Sequence, residues 1–251
     1  MNKKLKLGLL VFFIGLVGVF SSLAMEVPLP EEMEKMISEV FTPLQFKLLS
    51  LINPIILLIV TVLIGTLLYD KVSLKLPVLE NLIDKNKKAL TSGILKFGII
   101  GGVISGILIT ITAVLFNPIL PTEFLEIGEN FKPPLITRFL YGGLTEEILI
   151  RFGIMTFFVW LLFKISGKLN ATVYWIGILV SAIIFGFGHL PFVYAMIDTP
   201  TTELLFYIIL GNAVGGIVFG WLYWKKGLET AMIGHIFAHI IMLTGENILN
   251  I

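Results

Sequence analysis

The chain has 251 residues, 57% of them hydrophobic and only 14% charged, with a net charge of +1 and a mean hydropathy of +0.97. Soluble domains carry about 25% charged residues, so this composition excludes an ordinary globular domain and predicts an all-α, polytopic membrane bundle; the near-neutral balance gives no electrostatic case for a nucleic-acid partner. The absence of cysteine excludes a thiol nucleophile, disulfides and any cysteine-ligated metal.

A membrane-spanning helix needs roughly 20 apolar residues. Seven segments qualify, at about 6–25, 48–69, 93–116, 134–164, 171–192, 203–224 and 229–248. The first, "MNKKLKLGLLVFFIGLVGVFSSLA", also has the basic start, apolar middle and small-residue end of a signal peptide. Its long apolar run favours an uncleaved helix. Between the first two spans, 28–47 ("PLPEEMEKMISEVFTPLQFK") reads as an amphipathic interfacial helix. In the third, "GIIGGVISG" is a helix-packing face rather than a phosphate loop, since no Lys-Ser/Thr follows it. The fourth is overlong. At 1.5 Å per residue it would reach about 46 Å, so it must tilt, protrude or break. "YGG" at 141–143 is the expected break, and breaking there would make eight helices.

Loop charges alternate along the chain. Lys3, Lys4 and Lys6 precede the first span, and an acidic loop with Glu26, Glu31, Glu32, Glu34 and Glu39 against Lys35 and Lys47 follows it. Lys71, Lys75, Lys85, Lys87 and Lys88 then give a basic loop, and Glu123, Glu126 and Glu129 an acidic one. Lys164 and Lys168, then Asp198 and Glu203, then Lys225 and Lys226 continue the pattern. Basic loops stay in the cytoplasm, which places the N-terminus there and predicts a multi-pass protein of the cell membrane.

Ionisable groups at bilayer depth are costly and mark function by default. The fourth span holds Glu146, Glu147 and Arg151 in "EEILIR"; the fifth ends in "FGFGH" with His189; the seventh has "GHIFAH" with His235 and His239. These are all three histidines of the chain. Glu147 and Arg151 are four residues apart and share a helix face, which leaves Glu146 as the unpaired acid. His235 and His239 share a face in the same way. The pair alone could be a structural ion pair, and a lone membrane histidine is as often interhelical glue. An extra glutamate and three histidines on the last four spans point instead to one shared site.

With no serine-nucleophile signature, that site would activate water. Glu146 would take the proton, one histidine would assist, and the others would donate to the oxyanion. Glu146, His189, His235 and His239 could instead hold a divalent metal such as zinc, although position 236 is Ile and the H-E-x-x-H signature is absent. Asn212 is expected to bridge helices, and Lys96 and Arg138 to snorkel or mark span ends. Counted from the cytoplasmic boundary, Glu146 and His189 lie about 27 Å deep, but His235 and His239 only about 9 and 15 Å. The fourth and fifth helices must therefore overshoot the membrane, with the cavity opening to the cytoplasm.

The three motifs, in this order and at this depth, resemble the intramembrane endopeptidases that group CAAX prenyl proteases with bacteriocin-processing and immunity proteins. "EEILIR" resembles that family's E-E-x-x-x-R, "FGFGH" its F-x-x-x-H, and "HIFAH" its H-x-x-x-N. The run "GGIVFGWLYWKKGLETAMIGH" also resembles the family's approach to its last histidine, and the likeness covers roughly 115–245. The resemblance implies N-terminal spans over 1–115 and a catalytic core over 116–251. It implies a catalytic Glu146, a water-assisting His189, an oxyanion-stabilising or metal-associated His235, and Glu147 and Arg151 in support. His239 stands where the family has asparagine, which tilts the site toward a metal. The implied activity is hydrolysis of a peptide or lipidated-peptide substrate near the cytoplasmic leaflet, as in processing of prenylated C-termini, with membrane lipid as the surroundings. The competing readings are a noncatalytic immunity or binding protein of the same fold, and a proton or metal-ion transporter. A transporter should carry polar stations in both halves, and the first three spans have almost none.

Overall fold

A computed structural model describes residues 2–26, 31–84 and 93–249. Among them there is no strand, and seven helices are long and apolar enough to cross a membrane. They are Lys3–Ala24, Pro43–Val72, Ile94–Ile119, Leu135–Ser166, Ala171–Met196, Thr202–Lys226 and Leu228–Leu249. The chain is an all-α, multi-pass integral membrane protein. Its second span exposes a stripe of Ile56, Ile59, Leu63 and Leu67, the three-to-four-residue period of a helix face turned to lipid.

The fourth span does not break at "YGG". It stays helical and widens: Arg138–Glu146 and Ile148–Met155 are wound as π-helix. The Thr156 N–H reaches back five residues to the Arg151 carbonyl. Such winding is rare and collects at functional sites. It packs more residues into each unit of length, a way of fitting an overlong span that length alone did not suggest. The two glycines serve close approach instead. A Cβ on Gly142 would lie 2.7 Å from His239 Nε2, and one on Gly143 would strike Ile236.

The expected interfacial helix over 28–47 is shorter in the structure. Residues 28–30 lie outside the described residues, the helix is Glu31–Val40, and a new helix begins at Pro43. The break has a local cause. Thr42 caps the second helix, accepting from the Gln45 N–H while Gln45 Oε1 accepts from the Thr42 N–H, a reciprocal capping box. Glu31–Val40 still presents Met33, Met36 and Val40 as an exposed apolar stripe. Lys85, Lys87 and Lys88 of the basic loop also lie outside the described residues.

Small residues bring the site-bearing spans together. Added Cβ atoms on Gly98, Gly102 and Gly106 would each strike the seventh span, at Ile233, Gly234 and Ile241, so "GIIGGVISG" is the packing face expected of it. The first span is strapped to the fourth. Thr145 donates to the Gly15 carbonyl at 2.7 Å and Thr137 to the Ser21 carbonyl at 2.8 Å. A second polar joint anchors the start of the seventh span. The Leu228 N–H donates to the Lys75 carbonyl at 3.1 Å. Glu229 Oε1 accepts from the Val78 and Leu79 N–H groups at 3.0 and 2.9 Å.

Candidate active site

The fourth, fifth and seventh spans bring together the residues singled out in the sequence. Glu146 Oε1 lies 3.9 Å from His189 Nε2, and Glu146 Oε2 lies 3.8 Å from His235 Nε2. One carboxylate thus faces two imidazoles from different helices. Both rings are held by their other nitrogen. His189 Nδ1 is 2.9 Å from the Phe185 carbonyl, and His235 Nδ1 is 2.9 Å from Glu147 Oε1. A carbonyl and a carboxylate can only accept, so each Nδ1 carries the proton. In the neutral ring, Nε2 is then a lone-pair acceptor aimed at Glu146.

The centre of the cluster is therefore rich in acceptors. At 3.8–3.9 Å these groups are beyond hydrogen-bond range of one another. A water molecule, which brings two donor hydrogens, satisfies that geometry. Side-chain exposure falls from 36% at His189 to 18% at Glu146, 7% at His235 and none at Glu147. Access is thus from the His189 side, and Glu147 is the buried floor.

That floor is more elaborate than its sequence suggests. Glu147 was expected to pair with Arg151 alone. Its Oε1 instead serves His235, while Oε2 lies 3.4 Å from Arg151 Nε. Both side chains are fully buried. The ion pair lacks hydrogen-bond geometry, and no guanidinium nitrogen of Arg151 has a hydrogen-bond partner among the described residues. Aromatic rings make up part of the difference. The Arg151 Cζ lies 4.9 Å from the Phe185 ring centroid and 5.5 Å from that of Phe219, where each ring's negative face attracts the cation. Phe219 also stacks on His235 at 4.6 Å, and His235 stacks on His239 at 5.0 Å. Phe219 carries no polar atom and lies on a span with no ionisable station near it, so nothing in its sequence marked it. The Glu147–His235 bond joins residues 88 apart in the chain and was equally hidden.

His239 reaches the site by a different route. It stacks on the far side of His235, its Nδ1 is buried without a partner among the described residues, and Gly142 leaves room for its Nε2. Among the described residues no three histidine, cysteine or acidic side chains are grouped so as to hold one metal ion. Nor, among the described residues, does Asn212 bridge helices. Its amide donates to the Ile208 carbonyl of its own helix at 2.8 Å. Arg138 does not snorkel freely. It lies 3.2 Å from Glu246 and ties the start of the fourth span to the end of the seventh.

Beside the imidazoles lies a cavity of about 150 Å³, walled by Phe185, Phe219 and the sixth span and ending at His235 and His239. The depth mismatch expected from residue counting is resolved within the bundle. Glu146 and His189 meet His235 although the fourth and fifth spans continue far past it to their turn at 167–170. The start of the seventh span at Leu228 is only two turns from His235.

Residues 129–241 match a family model described as Type II CAAX prenyl endopeptidase Rce1-like. That stretch contains Glu146, His189, His235 and His239. Neither a curated protein nor a solved structure matches the chain.

Proposed function

We propose, from the match of residues 129–241 to the model of Rce1-like type II CAAX prenyl endopeptidases, that the chain belongs to that family and hydrolyses a peptide bond with water activated by Glu146. One observation carries the reading: two imidazoles, each with its proton fixed on Nδ1, turn their Nε2 atoms onto a single carboxylate.

Water seated between Glu146 and these nitrogens loses a proton to the carboxylate as its oxygen attacks the scissile carbonyl. His189, at the open side, orients the water. His235 is backed by Glu147 as a catalytic histidine is backed by a buried carboxylate, so it can take the proton of the intermediate's hydroxyl as the C–N bond breaks and then release it to water. That role differs from a neutral oxyanion donor, because its Nε2 carries no proton until the ring is charged. The unpartnered Nδ1 of His239 is the better donor to the oxyanion. Protonated Glu146 then returns its proton to the departing amine, which closes the cycle. Arg151, itself faced by the two phenylalanines, holds Glu147 in place. The substrate lies at the membrane, as a peptide or lipidated peptide, and its cleavage on the cytoplasmic side follows from the loop charges.

The test is cleavage of a labelled lipopeptide by purified protein in liposomes, with and without EDTA. Glu146→Gln should lower turnover by about 10²–10⁴-fold while leaving thermal unfolding unchanged. Full activity in that variant sinks the mechanism. Activity that EDTA abolishes and zinc restores would assign the imidazoles to a metal ion instead.

A further inference from the structure

Glycines within these membrane spans have a common reason for being there: a Cβ would collide with a neighbouring helix. Gly102, Gly143, Gly153, Gly186 and Gly216 all show it. Gly211, in the middle of the sixth span, is different. A Cβ built there meets nothing within 4 Å, and the residue lines the cavity beside His235 and His239. Glycine weakens a helix interior relative to alanine, and here no close approach compensates. What its missing side chain provides is space.

The shape and lining of that space limit what it can take. At about 150 Å³ the cavity is the size of an apolar protein cavity that accepts one benzene molecule. Phe185 and Phe219 give it aromatic walls, while Asn212, His235 and His239 are polar residues of its lining. His235 belongs both to this lining and to the water-activating cluster. A whole isoprenoid chain is too large for it. A single large side chain fits, with its own backbone carbonyl lying against the imidazoles.

We propose that this cavity is the subsite for one large apolar side chain, of phenylalanine or leucine class, next to the scissile bond, and that Gly211 sets its depth. The inference rests on the hydrolytic reading of the neighbouring residues, but its binding half can be measured without hydrolysis. Any lipid attached to the substrate lies outside this cavity, in the bilayer.

Two measurements test it together. In the first, a mixed peptide library is digested in liposomes and the cleavage sites are read by mass spectrometry. The unsubstituted protein should cut beside Phe and Leu. Gly211→Leu should lose about tenfold or more of kcat/KM on those sites and turn to Ala and Gly, as expected when a pocket is filled by several methylenes. Gly211→Ala, whose single methyl meets open space, should shift part of the way and unfold at the same temperature. In the second, N-acetyl-phenylalanine amide is titrated into Glu146→Ala protein in nanodiscs and read by saturation-transfer NMR. Binding should disappear when Gly211→Leu is added. A Gly211-dependent binding signal with no cleavage by any form would sink the hydrolytic reading and keep the cavity assignment. Glu146-dependent cleavage whose site preference ignores Gly211 would overturn this inference alone. So would equal probe binding with and without Gly211→Leu, or a phospholipid found by native mass spectrometry only in the protein that keeps Gly211.

Discussion

The seventh span carries two buried polar stations six residues apart, and they are built on opposite plans. Glu229 gives one oxygen to two backbone N–H groups, of Val78 and Leu79. Among the described residues His235 is bonded only to a side chain, Glu147, and it turns its other nitrogen toward Glu146. Backbone donors are fixed by the helix they open, so the Glu229 joint has one stable arrangement and serves architecture. Side-chain partners can exchange protons, and an acceptor left facing a second acceptor leaves room for a reactant. The difference teaches that burial and charge alone do not mark a reactive centre. What marks it is a pair of polar atoms from two helices turned on each other across 3.8 Å; an unpartnered atom alone does not, since Glu229 Oε2 also lacks a partner among the described residues.

Separating the two stations by mutation tests that contrast. The largest effect should come from Glu147→Gln. Turnover should fall by about 10²–10⁴-fold, because His235 loses the charge that supports its protonated form. The same change strands Arg151 as a buried cation, at a cost of about 3–5 kcal/mol. Adding Arg151→Met should recover much of the melting temperature and none of the activity; recovery of both would show that Glu147 acts only through packing. Next comes Glu229→Ala, which removes two hydrogen bonds to backbone N–H groups worth about 0.5–1.5 kcal/mol each. The protein should unfold earlier, while turnover per folded molecule stays within about twofold of the parent. A selective collapse of turnover there would erase the distinction between the stations. The smallest effect should come from Arg138→Ala. Its pair with Glu246 is part-exposed, and such pairs contribute about 0–1 kcal/mol, so neither unfolding nor turnover should move far.

Much of this was legible in the sequence because membranes simplify the code. The seven spans follow from apolar length, and the glycine face of the third from its spacing. The charged triplet of the fourth span and the three histidines stood out because a bilayer makes each of them costly. Residue counting even exposed the unequal depths of Glu146 and His235, a conflict that the long fourth and fifth helices settle within the bundle. Three things were hidden. Phe219 has no chemistry to attract notice until it stands between Arg151 and His235. The Glu147–His235 bond is a property of two helices, and the i,i+4 rule could offer Glu147 only a partner on its own helix. "YGG" was misread because glycine signals both a break and a close contact, and only the neighbouring helix decides between them.

The wide winding of the fourth span gives it slack. In an ordinary transmembrane helix such as the sixth span, losing one residue rotates everything beyond it by about 100° and scrambles every contact on that side. Between 138 and 155 a lost residue can be absorbed by tightening one turn to standard pitch, with both ends left where the first and second spans hold them. The segment that carries the glutamates is thus the one most forgiving of a change in length.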